Sequence, residues 1–222
     1  MSTILKTKAT PPAENGSRIP QQGRSKASLE RMLAAAEALM LERGTEDFTL
    51  QDVSQKGNVS IGSIYLRFDG KDNLVRAVIT QVLERVAGDE DAMLAAVLAE
   101  SRTLADFVPH YVTRFAEVLK HHAPLLRLTM ARAEHDPLVS GPGKASAFRS
   151  AATATGALLQ FKAEFGGNDP ELKANSAYHI IFATLARTLS LGSTGESALE
   201  TDWARLTAEL GRMCLAYFKH DG

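Results

Sequence analysis

The stretch Thr49 to Lys71, TLQDVSQKGNVSIGSIYLRFDGK, constrains the fold more than any other part of the chain. Thr49 precedes a short apolar pattern and Asp52 stands three residues on, so the pair reads as a near capping box at a helix start. Leu50 and Val53 mark the buried side of that helix. Gly57-Asn58 then supplies a turn, because glycine, and asparagine among the few others, tolerates positive φ. Ser60 is placed to cap a second helix, with Val59 before it positioned to staple onto Ile64. Ile64 and Phe68, four apart, face one core. Two short helices joined by a tight turn, with a third following at once, form the helix-turn-helix geometry that lays the second helix in a DNA major groove.

With Ile64 and Phe68 inward, Gly62 and Leu66 point furthest out, and Ser63, Tyr65 and Arg67 flank them. Ser63 can exchange a hydrogen bond with a base edge, and Arg67 can take a guanine or a phosphate. Ile61 and Leu66 suit a thymine methyl, and Gly62 lets the backbone come close. Ser60 stands at the start of this helix as its cap. For each of these residues the alternative is a solvated helix face or a local cap.

Thr49, Val53, Val59-Ser60, Gly62, Ile64-Tyr65, Phe68 and Lys71 resemble the DNA-binding signature of the TetR family of transcriptional repressors. The helix expected before them, Ser25 to Arg43, fits the same pattern. It has Leu29, Met32, Leu33, Ala36, Leu39 and Met40 at helical spacing and Gly44 as its C-cap. The specific resemblance covers residues 25–86. One departure is Gly57-Asn58, where the family more often has Ala-Gly. The resemblance implies that Tyr65 and Lys71 hold phosphates, with Thr49 and Gln51 doing so from the start of the preceding helix. Such contacts set register, whereas base contacts carry sequence information.

The rest of the chain reads as helices, with no alternating strand pattern flanked by hairpin turns. Helices are expected over 71–100 (with Gly88 and Asp89-Glu90-Asp91 able to interrupt it), 103–121, 124–133, 144–165, 170–192 and 201–219, with a loop at 135–143. The expectation is an all-α, nine-helix architecture. Residues 1–24 form a basic, disordered arm, or one that lies along phosphates or in a minor groove. Residues 25–72 form the helix-turn-helix domain and residues 73–222 a ligand-binding and dimerisation domain. Charge agrees: residues 1–86 carry 12 Lys and Arg against 10 Asp and Glu, and residues 87–222 carry 13 against 16, a mildly basic head on an acidic body.

The last two expected helices carry the association signal. The one over 201–219 has a stripe of Trp203, Leu206, Leu210, Met213, Cys214 and Tyr217, and the one over 170–192 is apolar nearly all round. In the TetR family the corresponding pair forms a four-helix bundle with a second subunit, which the resemblance carries to Ala177, Ile181, Ala186, Leu206, Leu210, Met213 and Tyr217. The alternative is a monomer core. Polar residues set among apolar ones between 103 and 192 are candidates for a small-ligand site: His110, Tyr111, Arg114, Thr129, Arg132, Gln160 and Tyr178. Each could equally be a satisfied core side chain or a solvated one.

No catalytic, metal or cofactor site is expected. His121 and His122 are adjacent and point to different faces, no histidine pair stands four apart, and there is no nucleophile elbow or phosphate-binding glycine loop. Cys214, the one cysteine, excludes an intrachain disulfide and reads as packing. The longest apolar run, Ala174 to Leu191, contains His179 and Arg187, so no membrane span is expected, and with no signal-peptide pattern the cytoplasm is the expected compartment. The reading is a homodimeric repressor that binds a double-stranded inverted-repeat operator and is released by a small apolar effector. Two alternatives stand beside it: the same DNA binder working as an activator or without a ligand, and an α-helical enzyme or carrier with a vestigial helix-turn-helix.

Overall fold

The computed structural model describes residues 21–192 and 202–221, and among these there is no strand. Three helices come first: α1 (Gln21–Arg43), α2 (Leu50–Gly57) and α3 (Ile61–Tyr65). α1 starts four residues before the expected Ser25, and residues 1–20 of the expected arm lie outside the described residues. The capping box on α2 is complete. Thr49 Oγ1 accepts from the Asp52 N–H at 3.1 Å, and Asp52 returns by accepting the Thr49 N–H at 2.9 Å. Ser60 Oγ caps α3 by accepting the Ser63 N–H at 3.1 Å, and Val59 and Ile64 are both buried.

The turn divides its labour differently from the expectation. Asn58 alone takes the left-handed conformation, at φ 46 and ψ 53, and ends α2. Gly57 stays helical because α1 runs against it: a Cβ there would lie 3.1 Å from the Arg31 carbonyl oxygen and 3.2 Å from Ala35 Cβ. The glycine is a packing residue, not a positive-φ residue.

Two long helices follow. α4 (Lys71–Glu100) has 30 residues and is therefore about 45 Å long. Gly88 and the acidic run do not break it, since Leu94 and Val97 continue the buried side begun by Leu74, Val78, Val82 and Val86. α5 (Leu104–Ala133) is also continuous, capped by a second complete box between Thr103 and Asp106. Pro124 was expected to start a new helix. It sits inside α5 instead, sacrificing one backbone bond while Ala123, Leu125 and Leu126 stay buried.

The expected loop at 135–143 is likewise helical. Asp136 caps α6 (Pro137–Leu158), with Pro137 in the first-turn position where its missing N–H costs nothing. α6 ends in a 3₁₀ turn (Leu159–Glu164), earlier than the expected 165. α7 (Pro170–Thr188) and α8 (Trp203–Lys219) complete the fold, so the described residues form eight α-helices against nine expected. α8 lies mainly on α5, closely enough that a Cβ on Gly211 would meet Pro109 Cα at 3.3 Å. The core between them is aromatic, with Phe107, Tyr111 and Phe115 stacked in sequence at 5.6 and 5.4 Å.

Candidate nucleic-acid interface and cavity

α3 is anchored from beneath by Ile64, which is fully buried. Its other side is open: Leu66 is 88% exposed and Tyr65 61%. Thr49, Gln51, Ser60 and Gly62 are exposed as well, while Ile61 and Ser63 are half-buried. The Ser60 and Ser63 hydroxyls share a hydrogen bond at 2.7 Å. Arg67 is exposed but engaged, donating to the Ser25 carbonyl at 2.7 Å and tying α3 to the beginning of α1. Lys71 is half-buried. Its ammonium donates to the Glu46 carbonyl at 2.9 Å and lies 5.5 Å from the centre of the Phe48 ring. Among the nine residues singled out at this end, Lys71 and Arg67 therefore also brace the helices that carry the others.

Behind this end lies a cluster of ion pairs. Arg132, near the end of α5, reaches Glu46 ahead of α2 at 2.8 Å, Asp72 in the first turn of α4 at 3.0 Å, and Asp136 at 2.8 Å. Asp136 also accepts from Arg76 at 2.8 Å. Burial disfavours the charged guanidinium of Arg132, but bonds to Asp136 and Asp72 and the charge of Glu46 outweigh it and hold its pKa above the usual range. The bonds from Arg76 and then Arg132 hold the Asp136 carboxyl down at about 2 although burial pushes it up.

Between α4, α5, α6 and α7 is a cavity of about 550 Å³, walled by Val86, Leu126, Thr129, Ser150, Tyr178 and Phe182 among others. The polar residues expected to line a site divide three ways. Thr129 and Tyr178 are on the wall. Tyr178 donates to Ser150 Oγ at 3.1 Å, and Thr129 Oγ1 is buried without a hydrogen-bond partner among the described residues. Tyr111 is buried beside a small adjoining void, its hydroxyl also without a partner there, and burial raises its pKa well above the usual tyrosine value. His110, Arg114 and Gln160 are exposed, with Arg114 paired to Glu100 at 2.7 Å, and Arg132 belongs to the ion-pair cluster.

Sequence reasoning missed Glu90, which stands on the cavity wall. Burial raises its pKa, against a hydrogen bond from Ser150 and the charge of Arg149. The signal was available: the four-residue spacing Val78, Val82, Val86, Glu90, Leu94 places a carboxyl in an apolar stripe.

The residues expected at a subunit interface also divide. Ala177, Ile181 and Leu210 are covered by the chain's own helices, and Ala186 is nearly so. α7 packs its share inward mainly against α6 and α8, and α8 packs its share against α5. Leu206 is half-buried, and only Met213, at 65%, and Tyr217, at 37%, present substantial apolar surface, with Ile180 of α7 beside them in kind at 49%. Cys214 is buried, which pushes its thiol pKa up to about 11. The described residues contain no group of three or more His, Cys, Asp or Glu able to hold a metal ion, and no helix among them is long and apolar enough to cross a membrane.

A capped helix-turn-helix carried on a helical body is an architecture that DNA-binding regulators use. Residues 32–78 match the model of the family described as bacterial regulatory proteins, tetR family. The whole fold is similar to solved structures of such regulators. One, assigned to the TetR family in Mesorhizobium loti MAFF303099, is 19% identical, with 87% of this chain and 97% of that one covered at a TM-score of 0.70. GusR of Salmonella enterica is 22% identical, covering 93% and 100% at 0.60. The ketosteroid transcriptional regulator KstR2 of Mycobacterium tuberculosis is 16% identical, covering 90% and 95% at 0.55. Among curated proteins no sequence matches this chain.

Proposed function

We propose that the protein is a cytoplasmic, homodimeric repressor that binds an inverted-repeat operator and releases it when a small, largely apolar molecule enters the cavity. The observation that carries this is a short path. Thr129, on the cavity wall, and Arg132, which grips Glu46 and Asp72, are three residues apart on one face of α5. A ligand that displaces the last turns of α5 therefore moves the clamp on the loop before α2 and on the start of α4.

In a dimer the two copies of α3 must sit roughly 34 to 36 Å apart to meet successive major grooves. A ligand that fits better at another spacing opposes operator binding, and by linkage the operator opposes the ligand by the same factor, typically about 1 to 3 kcal/mol. Gly62, Ser63 and Ile61 serve as the base-facing or groove-facing set. Thr49, Gln51, Tyr65 and Lys71 serve the phosphates, with Ser60 capping the helix between them and Arg67 recruited to a base or a phosphate when it leaves Ser25. The partner subunit meets α7 and α8 through Ile180, Met213 and Tyr217, with the half-buried Leu206 at the margin.

Selection from a random DNA pool should enrich an inverted repeat, with binding that weakens steeply as salt rises, and sedimentation should show a dimer at micromolar concentration. A pool that enriches no sequence removes the reading. A monomer removes its dimeric geometry.

A further inference from the structure

The wall of the cavity has an electrostatic character that goes beyond the sensor reading, on which the inference rests. Glu90 of α4 brings a carboxyl to a wall that includes Leu83, Val86, Leu126 and Met130, with Ser140, Ser146 and Ser150 among its polar members. Arg149, whose charge acts on Glu90, is paired with Asp91 at 2.9 Å. Lys144 is exposed at the cavity, as is Glu134, so neither leaves a net positive charge inside. Two aromatic rings share the wall with Glu90: Tyr178 and Phe182, stacked with centroids 6.1 Å apart and planes 12° from parallel. Ring faces are negative and attract cations. Thr129, 4% exposed with its Oγ1 unpartnered among the described residues, adds a polar anchor on the same wall.

A carboxyl, two aromatic rings and a hydroxyl thus share the wall of one largely apolar space. We propose that the cavity takes an organic ammonium with a compact apolar body, the ammonium resting on Glu90 and against the Tyr178–Phe182 pair. The volume suits such a molecule, since small-ligand sites run from about 300 to 1,000 Å³. An anion would meet Glu90 as a like charge, and a neutral ligand would leave it only the Ser150 hydrogen bond and the charge of an Arg149 that is itself paired with Asp91.

The test uses three probes on one frame, naphthylmethylamine, naphthylmethanol and naphthoate, titrated calorimetrically into the full chain. The amine should bind tighter than the alcohol by on the order of tenfold, as a charge-assisted bond and cation–π contact predict, and naphthoate should bind weakest. In Glu90→Gln the amine should fall to the level of the alcohol while the alcohol changes by less than about twofold. Leu126→Trp, which fills the cavity, should abolish all three. An alcohol or naphthoate that matches the amine, an amine lead that survives Glu90→Gln, or amine binding that survives Leu126→Trp overturns the ammonium site. Operator release is read in a separate titration. An amine that binds through Glu90 yet leaves operator affinity unchanged keeps the site and overturns the sensor reading.

Discussion

The helix-turn-helix end and the body behind it solve opposite problems. α2 and α3 are short, and their ends are set locally by two side-chain caps and one left-handed asparagine, while Gly57 under α1 and the fully buried Ile64 seat them. The body relies on long-range packing, with 30-residue helices that run through Gly88, Pro109 and Pro124 and border a cavity where Thr129 Oγ1 has no hydrogen-bond partner among the described residues. A surface that must meet a fixed partner such as duplex DNA is served by rigid local geometry. A space that admits a ligand tolerates imperfect packing, at the expense of buried polar atoms left without partners. Stability and DNA affinity should therefore come apart when the two regions are perturbed separately.

The largest effect belongs to the body. Phe107 is fully buried and packs against Tyr111 at 5.6 Å and Phe161 at 5.1 Å. Phe107→Ala should cost about 3 to 5 kcal/mol in chemical denaturation, while the protein that remains folded keeps its operator affinity. Equal losses of stability and of affinity would mean that the two regions are one packing unit and would break the contrast.

Gly62→Leu is the reverse experiment. A side chain at Gly62 meets nothing within 4 Å in the protein itself, and replacing a helical glycine raises helix propensity by up to about 1 kcal/mol. The melting temperature should hold or rise. Operator affinity should drop by roughly 1 to 3 kcal/mol, the usual toll of overpacking, since the leucine would fill the gap left for DNA. Undiminished affinity would show that α3 does not present this face to the groove.

Smaller still is Thr49→Ala. It removes the cap of α2 and should lower stability by about 1 kcal/mol, with a further uniform loss of affinity across operator variants if Thr49 also holds a phosphate. Thr49→Ser keeps the cap and should restore both. Restored stability with affinity still low would assign the methyl, not the hydroxyl, to the interface.

The same contrast governs what the sequence made legible. Caps, the Asn58 turn and the inward Ile64–Phe68 pair depend on neighbours within a few residues, so pattern reasoning placed them. Helix boundaries in the body depend on partners far away in sequence. Pro124 and Pro137 look like breaks until burial on both sides of Pro124 and the Asp136 cap before Pro137 are known. Lys173 could not be read at all: it is buried and donates to the carbonyls of Tyr217 and Phe218 at the end of α8, 44 and 45 positions away. Three of the residues expected at an interface are covered within the chain for a related reason. Ala177, Ile181 and Leu210 are apolar at helical spacing, and that spacing cannot say whether the cover comes from the same chain or from another.

The junction between the two regions gives the finest test, because there a charge can be removed without disturbing a cap. Asp136 accepts the Leu138 N–H at 3.1 Å to start α6, and asparagine caps as well as aspartate does. Asp136→Asn thus isolates the charge that faces Arg76 and Arg132. The native carboxyl is held at about 2 against an ordinary 3.8. A depressed folded value means the stabilisation is fully present above the unfolded value and is lost as pH falls through the folded one. The wild type should then melt a few degrees above Asp136→Asn near neutral pH, and the gap should narrow from about pH 4 and be nearly gone by about pH 2, as the native carboxyl takes up its proton. A gap that persists in acid would trace the effect to lost shape and not to the ion pairs. In the same variant Arg132 keeps Glu46 and Asp72 but loses its hold on α6, so effector and operator should each still bind while the factor by which they oppose one another shrinks. An unchanged factor would move the coupling away from this cluster and onto the packing of α4 alone.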